Sequence, residues 1–334
     1  MMLQKRILHI FPSKNLKNSG VYKYNYYLNK IIHAKYECVI LNENFDLYLF
    51  KQINRLFFLP IKIIYNILKK KINIIILPEE NLLSVSLIKK VLDIKIIAVI
   101  HDLRKRKDIK NPSLIEKCKL IYLNFNYKLI NSVDHLIVPS NQTKIKLKKY
   151  NKKKIIIPNL FEIPKKFVNK KKLLKKYDID LKKILILNIG SNQSNKNLNQ
   201  LINFIRRNKK FFLVQIGSKN KNKYKNILYL SNIKQIELDS FLKHAQLFIS
   251  TTYFEGFGRP HVEARICKLP LLCLDNKINR EVLGNSAHFY KNFNQIGNKI
   301  DIYLRYKKDS KFIKRYILNR SNIYNFQKRL KKIL

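Results

Sequence analysis

The sequence has no tryptophan, seven glycines, nine prolines and few acidic residues. Asp and Glu number 21 against 69 Lys and Arg, so the formal net charge is +48. Because lysine, isoleucine and asparagine are abundant along the whole chain, we interpret this charge as a compositional bias rather than a localised basic patch. No RNA-binding, zinc-finger or basic-zipper pattern accompanies it, and we therefore predict no nucleic-acid partner.

Cysteine is also scarce. The four residues Cys38, Cys118, Cys267 and Cys273 form no C-x-x-C pair, and no histidine cluster has the spacing of a metal site. We expect reduced, buried thiols in a cytoplasmic protein and no bound metal or cofactor. The string D-x-D over 178–180 precedes a predicted strand, and we interpret it as a polar turn.

Long hydrophobic runs are missing as well. No stretch of about 18 uncharged apolar residues exists, so we expect no membrane-spanning segment. Residues 1–10 lack the pattern of a secretory leader. Residues 51–71 combine apolar side chains at helical spacing with a basic face, and a basic loop follows at 104–107. This pattern fits either a helix packed on the core or a helix that docks on an anionic membrane surface.

The chain lacks G-x-G-x-x-G after its first predicted strand, which argues against a dinucleotide-dependent oxidoreductase. What it does have is short apolar runs that alternate with amphipathic stretches. Runs without polar alternation are typical of strands buried on both faces of a parallel sheet. They occupy 6–11, 36–41, 73–77, 95–100, 135–139, 154–158, 183–189, 211–216, 227–230, 247–250 and 271–274.

A Pro-punctuated, Lys-rich stretch separates two such series. We predict an α/β protein with one doubly wound domain over 1–160, a linker over 161–176 and a second doubly wound domain over 177–317. Ligands of such sheets bind beyond the carboxyl ends of the strands, so we expect a site in a cleft faced by both domains.

The most informative segment follows the run 247–250. Gly256 and Gly258 can adopt positive φ and let backbone N–H groups approach an anion. Pro260 suits the first turn of a helix, whose N-terminus attracts phosphate. Glu255 on the loop and Glu263 one turn into the helix add two carboxylates, which accept hydrogen bonds from sugar hydroxyls. The segment predicts a nucleotide-sugar site.

The run Ser250-x4-Glu255-Gly-Phe-Gly-x-Pro-x-x-Glu263-Ala, followed by Lys-Leu-Pro-Leu and Glu-Val-Leu-Gly at 268–271 and 281–284, resembles the signature of retaining glycosyltransferases of family 4. The resemblance implies the GT-B fold, with two Rossmann-like domains. It also implies metal-independent transfer from a nucleoside diphosphate sugar to a glycan or glycolipid acceptor. The implied setting is polysaccharide or lipopolysaccharide synthesis at the inner face of a membrane. By the same resemblance, Glu255 holds the sugar hydroxyls, Glu263 the ribose, and Phe257 belongs to the donor-binding loop.

Residues 189–198 are similar to the family's first βα loop of the second domain, where a basic pair contacts the donor diphosphate. Lys196 matches the lysine of that pair. The other position falls on Asn195 or Ser191, neither of which is basic. The resemblance therefore implies donor binding by these three residues, with a catalytic contribution from Lys196 and Glu255.

Two motifs of the first domain complete the resemblance. Gly20 stands in a segment similar to the family's glycine loop near the donor phosphates, although a plain helix start explains it equally well. His101 ends a predicted buried strand and resembles the family's catalytic histidine that faces the donor sugar; the alternative is a structural role. Residues 318–334, with Phe326, are similar to a closing helix that returns to the first domain.

Two questions stay open at this point. Because Asn195 and the single Gly20 depart from the family pattern, a catalytically degenerate, glycosyltransferase-like binding subunit is the alternative function. Arg259 and His261 lie within the Glu255 loop, and the sequence does not distinguish a substrate contact from a surface position for either of them.

Overall fold

The structure is a computed structural model that describes residues 5–12, 19–42, 48–103, 114–191, 194–218, 224–297, 300–305 and 311–334. These residues form two compact units. The first contains the described residues up to 160 together with 318–334, and the second contains those of 161–317.

The first unit is built on a six-stranded parallel sheet of order β2-β1-β3-β4-β5-β6. Its strands are β1 (Arg6–Phe11), β2 (Glu37–Asn42), β3 (Ile74–Leu77), β4 (Lys95–Val99), β5 (His135–Val138) and β6 (Lys153–Ile156). Its helices are α1 (Gly20–His33), α2 (Tyr48–Ile53), α3 (Leu59–Lys70), α4 (Leu114–Lys128), α5 (Asn141–Lys146) and the C-terminal helix (Arg320–Lys331). A 3₁₀ segment (Glu80–Lys90) follows β3 and a short one (Leu129–Ser132) follows α4.

Alternate side chains of a central strand face opposite layers, which explains why β3 is apolar and buried along its whole length. Leu8 and Ile10 pack with α3 and the 3₁₀ segment on one face of the sheet. Ile7 packs with α1 and the C-terminal helix on the other face, where Phe326 and Leu330 are buried. The C-terminal helix thus returns to the first unit, as predicted.

The second unit has another six-stranded parallel sheet, of order β12-β11-β10-β7-β8-β9. Its strands are β7 (Ile184–Ile189), β8 (Phe211–Ile216), β9 (Ile227–Leu230), β10 (Leu247–Ser250), β11 (Leu271–Leu274) and β12 (His288–Tyr290). Its helices are α6 (Lys170–Lys176), α7 (Leu198–Arg207), α8 (Gln235–His244), α9 (Arg259–Ile266), α10 (Lys277–Leu283) and α11 (Ile300–Arg305). Together with the first sheet, this one confirms the predicted pair of doubly wound α/β domains.

The segment predicted as a linker, 161–176, is part of the second unit's packing. Phe161, Leu173 and Leu174 are all buried in the core of that unit. Asn169 caps α6 by accepting a hydrogen bond from the Lys171 N–H at 2.9 Å. Helix α6 has seven residues and buries only Leu173 and Leu174. Its apolar pattern is therefore too short to be recognised among the surrounding lysines.

The stretch 51–71 is helical, but a π-helical turn (Asn54–Phe58) joins α2 to α3. Three side chains of α3, those of Leu59, Ile63 and Ile67, point into the core. The same stretch exposes a set of large apolar side chains, namely Leu56, Phe57, Phe58, Ile61, Tyr65 and Leu68. Each of the two interpretations of this pattern therefore accounts for some of its side chains. The basic loop 104–107 lies outside the described residues.

Among the described residues, no helix is both long and apolar enough to cross a bilayer. The D-x-D string forms a turn before β7, as expected: Asp178 has a φ of 52°, and Oδ1 of Asp180 accepts the Lys182 N–H at 2.9 Å.

Candidate functional site

The strand order of the second sheet reverses between β7 and β10. Strands β8 and β9 lie beyond β7, whereas β11 and β12 lie beyond β10. The two central strands pair in parallel, with Leu247 opposite Ile186 and Phe248 opposite Leu187, so they end at the same edge. Open α/β sheets bind ligands in the crevice beyond such a reversal. The loops that follow β7 and β10 therefore form the candidate site.

Lys196 lies at the end of the loop after β7, in a 3₁₀ turn (Ser194–Lys196). Its stem runs along Gly190, where an added Cβ would lie 3.5 Å from Lys196 Cδ. Its Nζ donates a hydrogen bond to Oε1 of Glu255, from the loop after β10. The two side chains are 18% and 13% exposed, so the ion pair is largely shielded from water yet can still be reached by a ligand.

Backbone and amide hydrogen bonds join the two loops. The Asn195 side-chain amide donates to the Phe254 backbone carbonyl at 3.0 Å, and the backbone carbonyl of Asn195 accepts the Tyr253 N–H at 2.9 Å. Thr251 Oγ1 donates to the Lys196 carbonyl at 2.7 Å. Asn195 therefore positions Lys196 rather than adding charge. Ser191, also predicted at this site, is exposed.

Glu255 is ionised in spite of its burial. Burial raises the pKa of its carboxyl group, but the charges of Lys196 and His261, together with hydrogen bonds from Lys196 and Thr252, outweigh this effect. The resulting pKa lies below the ordinary value. An ionised carboxylate is an acceptor only, so Glu255 is suited to hydroxyl donors.

The turn after Glu255 contains two glycines, and one of them has the positive φ that the sequence predicts. Gly258 has a φ of 80° and caps α9, with Pro260 in the first turn. An added Cβ on Gly258 would lie 2.7 Å from His261 Nδ1 and 3.3 Å from Glu255 Oε2. Conformation and space both require glycine here. The amino end of α9, favourable for anions, lies beside the carboxylate.

Glu263 has a different cation as its partner. It accepts a hydrogen bond from Nε of Arg259, one turn earlier, at 3.0 Å. The Arg259 guanidinium lies 4.2 Å from the ring centroid of Phe161, which stacks on Phe257. Phe257 is 6% exposed and also packs against Tyr316. The Phe257 side chain is therefore used for packing, and only its backbone is available to a ligand.

His261 is 2% exposed, so the surface interpretation of this residue is wrong. Its ring packs edge-on against Phe248, and the Asn279 side chain of α10 forms a hydrogen bond with it. Within the described part of the chain, no hydrogen-bond partner reaches the buried Nδ1 of His261. Sequence reasoning missed Asn279. Its one local signal is Asn276, which caps α10 by accepting the Asn279 N–H at 2.8 Å.

The first unit contains the two remaining predicted residues. Gly20 opens α1 after Ser19, whose hydroxyl caps the helix by accepting the Tyr22 N–H at 3.1 Å. Of the described residues, none comes within 4 Å of an added Cβ on Gly20. The local structure is that of an ordinary helix start.

His101 follows β4 and is half-buried. Its Nε2 lies 2.9 Å from the Pro78 carbonyl oxygen, and its backbone N–H donates to Glu80 Oε2 at 3.1 Å. The ring also packs edge-on against Tyr24 at 4.9 Å. His101 is thus held at the carboxyl edge of its sheet by contacts within the first unit.

The second unit carries a recognisable family region. Residues 169–319 match the family of glycosyl transferases group 1. This range contains Lys196, the Glu255 loop and α10, so the candidate site falls within the matched glycosyltransferase region. A comparison with curated protein sequences found no match.

Solved structures resemble nearly the whole chain. Sucrose-phosphate synthase from Thermosynechococcus elongatus has a TM-score of 0.77 at 11% identity, over 98% of this chain and 99% of that one. Anabaena HepE, in complex with UDP and glucose, has a TM-score of 0.69 at 13% identity, over 97% and 99%. The lipopolysaccharide outer core galactosyltransferase WaaB has a TM-score of 0.64 at 12% identity, over 98% and 100%. At these identities the likeness shows the fold, and the predicted GT-B fold class is confirmed. Family region and fold together support a glycosyltransferase.

Proposed function

We propose that the protein is a retaining glycosyltransferase of family 4 that transfers a sugar from a nucleoside diphosphate to a hydroxyl acceptor. The observation that carries this proposal is the Lys196–Glu255 ion pair beside the Gly258-capped start of α9. A cation, helix N–H groups and an ionised carboxylate meet there, at the strand-order reversal of a sheet within the glycosyltransferase region.

The leaving diphosphate needs stabilisation as negative charge develops on it. The Lys196 ammonium and the N–H groups at the start of α9 provide this without a metal ion. We propose metal independence for that reason. The proposed donor-binding residues are Lys196, Asn195, Ser191, the 256–258 backbone, Gly20 and the two glutamates.

The sugar and ribose hydroxyls need acceptors. We propose that Glu255 binds the transferred sugar and Glu263 the ribose, and that His101 faces the donor sugar, as the family resemblance implies. The partners of the two carboxylates differ, with Lys196 on Glu255 and Arg259 on Glu263. This difference supports separate roles, because each carboxylate is held by a different cation.

We further propose that the acceptor is a cell-surface glycan or glycolipid, reached at the inner face of a membrane. The support is the apolar face of the π turn and α3, which exposes Phe57, Phe58, Ile61 and Leu68 beside Lys62 and Lys69. Exposed apolar side chains next to lysines suit an interface with anionic lipid. WaaB, a structural neighbour, acts on lipopolysaccharide according to its name.

A second candidate is a non-catalytic binding subunit. It is favoured by Asn195, which is neutral and hydrogen-bonded within the loops where the family has a basic residue. Such a protein would bind a nucleotide sugar without transferring it.

One experiment separates the two candidates. The purified chain is incubated with UDP-glucose, GDP-mannose and ADP-glucose, each with and without EDTA and with a bacterial glycolipid extract as acceptor, and melting temperature and nucleotide release are measured. Since a bound donor stabilises by mass action, one donor should raise the melting temperature above the others. Release of nucleoside diphosphate that EDTA does not abolish supports the enzyme. Stabilisation without release supports the binding subunit, and neither effect with any donor contradicts both.

A further inference from the structure

His261 and Glu255 border the same small space. An added Cβ on Gly258 would lie 2.7 Å from His261 Nδ1 and 3.3 Å from Glu255 Oε2. Since glycine has no Cβ, residue 258 places no side-chain atom against either group. Nδ1 is buried and has no hydrogen-bond partner among the residues that the structure describes. A ring nitrogen of this kind is an unsatisfied group at the candidate site and calls for a physical reason.

The surroundings of His261 contain two charges. Glu255, on the preceding loop, and Lys196, on the loop after β7, are the charged groups that act on the ring. Its other neighbours are neutral: Phe248 of β10 and Asn279 of α10. The thiol of Cys273 on β11, which interacts with Glu255, is neutral too because burial raises its pKa.

These charges set the resting state. Burial lowers the pKa of His261, and the Lys196 ammonium lowers it further, against the opposing effects of Glu255 and of the Asn279 hydrogen bond. The imidazole is therefore neutral while Lys196 is paired with Glu255. If Lys196 moves away from the carboxylate, its charge no longer lowers the pKa of His261, and Glu255 loses the cation with which it was paired.

We propose that His261 is a positioning residue that replaces Lys196 as the cation of Glu255 when a nucleoside diphosphate binds. The diphosphate attracts the Lys196 ammonium away from the carboxylate. Nδ1 then takes a proton from the solvent, and the new N–H donates toward Glu255 Oε2 across the space beside Gly258. Glu255 thereby stays ionised and oriented for sugar hydroxyls. This proposal rests on the proposed function of the same site.

The consequence is proton uptake on ligand binding. The pKa of His261 is lower in the unliganded protein than in the complex, so binding takes up a proton at pH values between the two. Affinity is then highest below the unliganded pKa and falls as pH rises through the pKa of the complex. The fall is at most about tenfold per pH unit.

The test is calorimetric titration of the full chain at about pH 7, in buffers of different ionisation enthalpy. The probe is whichever of UDP-glucose, GDP-mannose and ADP-glucose stabilises the chain, since their phosphates do not titrate near neutral pH. We expect uptake of about half to one proton by the wild type and none by His261→Asn or His261→Gln. The control is His244→Asn, since His244 contacts only the Val168 carbonyl among the described hydrogen bonds and should leave uptake unchanged.

The outcomes distinguish this proposal from the function on which it rests. Binding by the wild type without proton uptake, or equal uptake by His261→Asn, contradicts the role of His261 and leaves the function intact. If none of the three probes binds, both the role of His261 and the proposed function are overturned. The wild-type measurement needs no variant, so a His261 variant that fails to fold does not leave the proposal untested.

Discussion

The two units share a topology but use their polar groups differently where the strand order reverses. In the first unit, Arg55 is 2% exposed and pairs with Glu79, just beyond β3. In the second unit, the cation Lys196 is more exposed, at 18%, and its partner Glu255 lies near His261 Nδ1, which has no hydrogen-bond partner among the described residues. The cation of the first pair is enclosed by the fold, whereas the cation of the second is partly exposed and, on the proposed function, meets a bound ligand. On the proposed function, similar sheets place an ion pair for stability in one unit and for binding in the other.

The largest effect is expected at Glu255. Glu255→Gln keeps the shape of the side chain but removes the charge that accepts sugar hydroxyls, so turnover should fall by about 10²- to 10³-fold. Sugar transfer is measured beside the melting temperature. Glu237→Gln is the matched control, because Glu237 is also paired with a lysine, Lys176, but lies on α8. Full activity in a folded Glu255→Gln protein would remove Glu255 from the site.

Loss of the buried Arg55–Glu79 pair of the first unit should have the opposite effect, lowering stability but not donor binding. Arg55→Met leaves Glu79 buried without its cation, which should cost about 3–5 kcal/mol of unfolding free energy. Nucleotide-sugar affinity of the folded fraction should not change. Burial raises the pKa of Glu79 and Arg55 lowers it below the ordinary value. Wild-type stability from this pair is therefore present above the unfolded pKa and lost as pH falls through the folded one.

Denaturant unfolding at several pH values checks this prediction. In Arg55→Met the Glu79 pKa should rise above its unfolded value, so the variant should gain stability as pH falls. Arg6→Met is the control, because Arg6 and Glu37 form an exposed pair worth less than about 1 kcal/mol. An equal loss of stability in both variants would show that the Arg55 pair is not special.

One glycine in each unit gives the next comparison. Gly258→Ala puts a Cβ against His261 and Glu255 at a φ of 80°. It should lower the unfolding free energy by about 1–3 kcal/mol and should also weaken donor binding. The added Cβ of Gly20→Ala has no neighbour within 4 Å among the described residues, so this variant should raise the unfolding free energy by about 0.4–1 kcal/mol. Thermal melts and donor titrations are the measurements. Reduced donor affinity in the stable Gly20→Ala protein would support the proposed phosphate contact of Gly20.

The sequence predicts most strands well because they are short segments rich in Ile, Leu, Val and Phe. The bounds of 6–11, 211–216 and 247–250 are confirmed without change. Strand β12 has three residues and α6 has one pair of buried leucines, so neither carries enough pattern to be predicted. Periodicity needs length, and short elements depend on contacts from outside.

The candidate site was predictable in its residues but not in its contacts. The loop chemistry of Glu255, Gly258 and Lys196 is visible in the sequence, whereas their meeting depends on β7 and β10 being neighbours, which local sequence does not encode. The burial of His261 depends on α10, which brings Asn279 against the ring. The contact between the two loops and the burial of His261 were not predictable for the same reason, because strand order and helix packing are properties of the whole unit.

The smallest effect concerns the surfaces of the two units. The first unit exposes Phe57, Phe58 and Ile61 together on one helical segment, whereas Leu181 of the second is exposed in a turn. Phe57→Ser and Ile61→Ser should each weaken binding to vesicles containing about one third anionic lipid by a few-fold, because less apolar surface enters the interface. Leu181→Ser should have no effect, and added salt should weaken binding of every variant. The measurement is co-sedimentation with vesicles. Equal binding by Ile61→Ser and the wild type would assign these side chains to another role and leave the donor site of the second unit untouched.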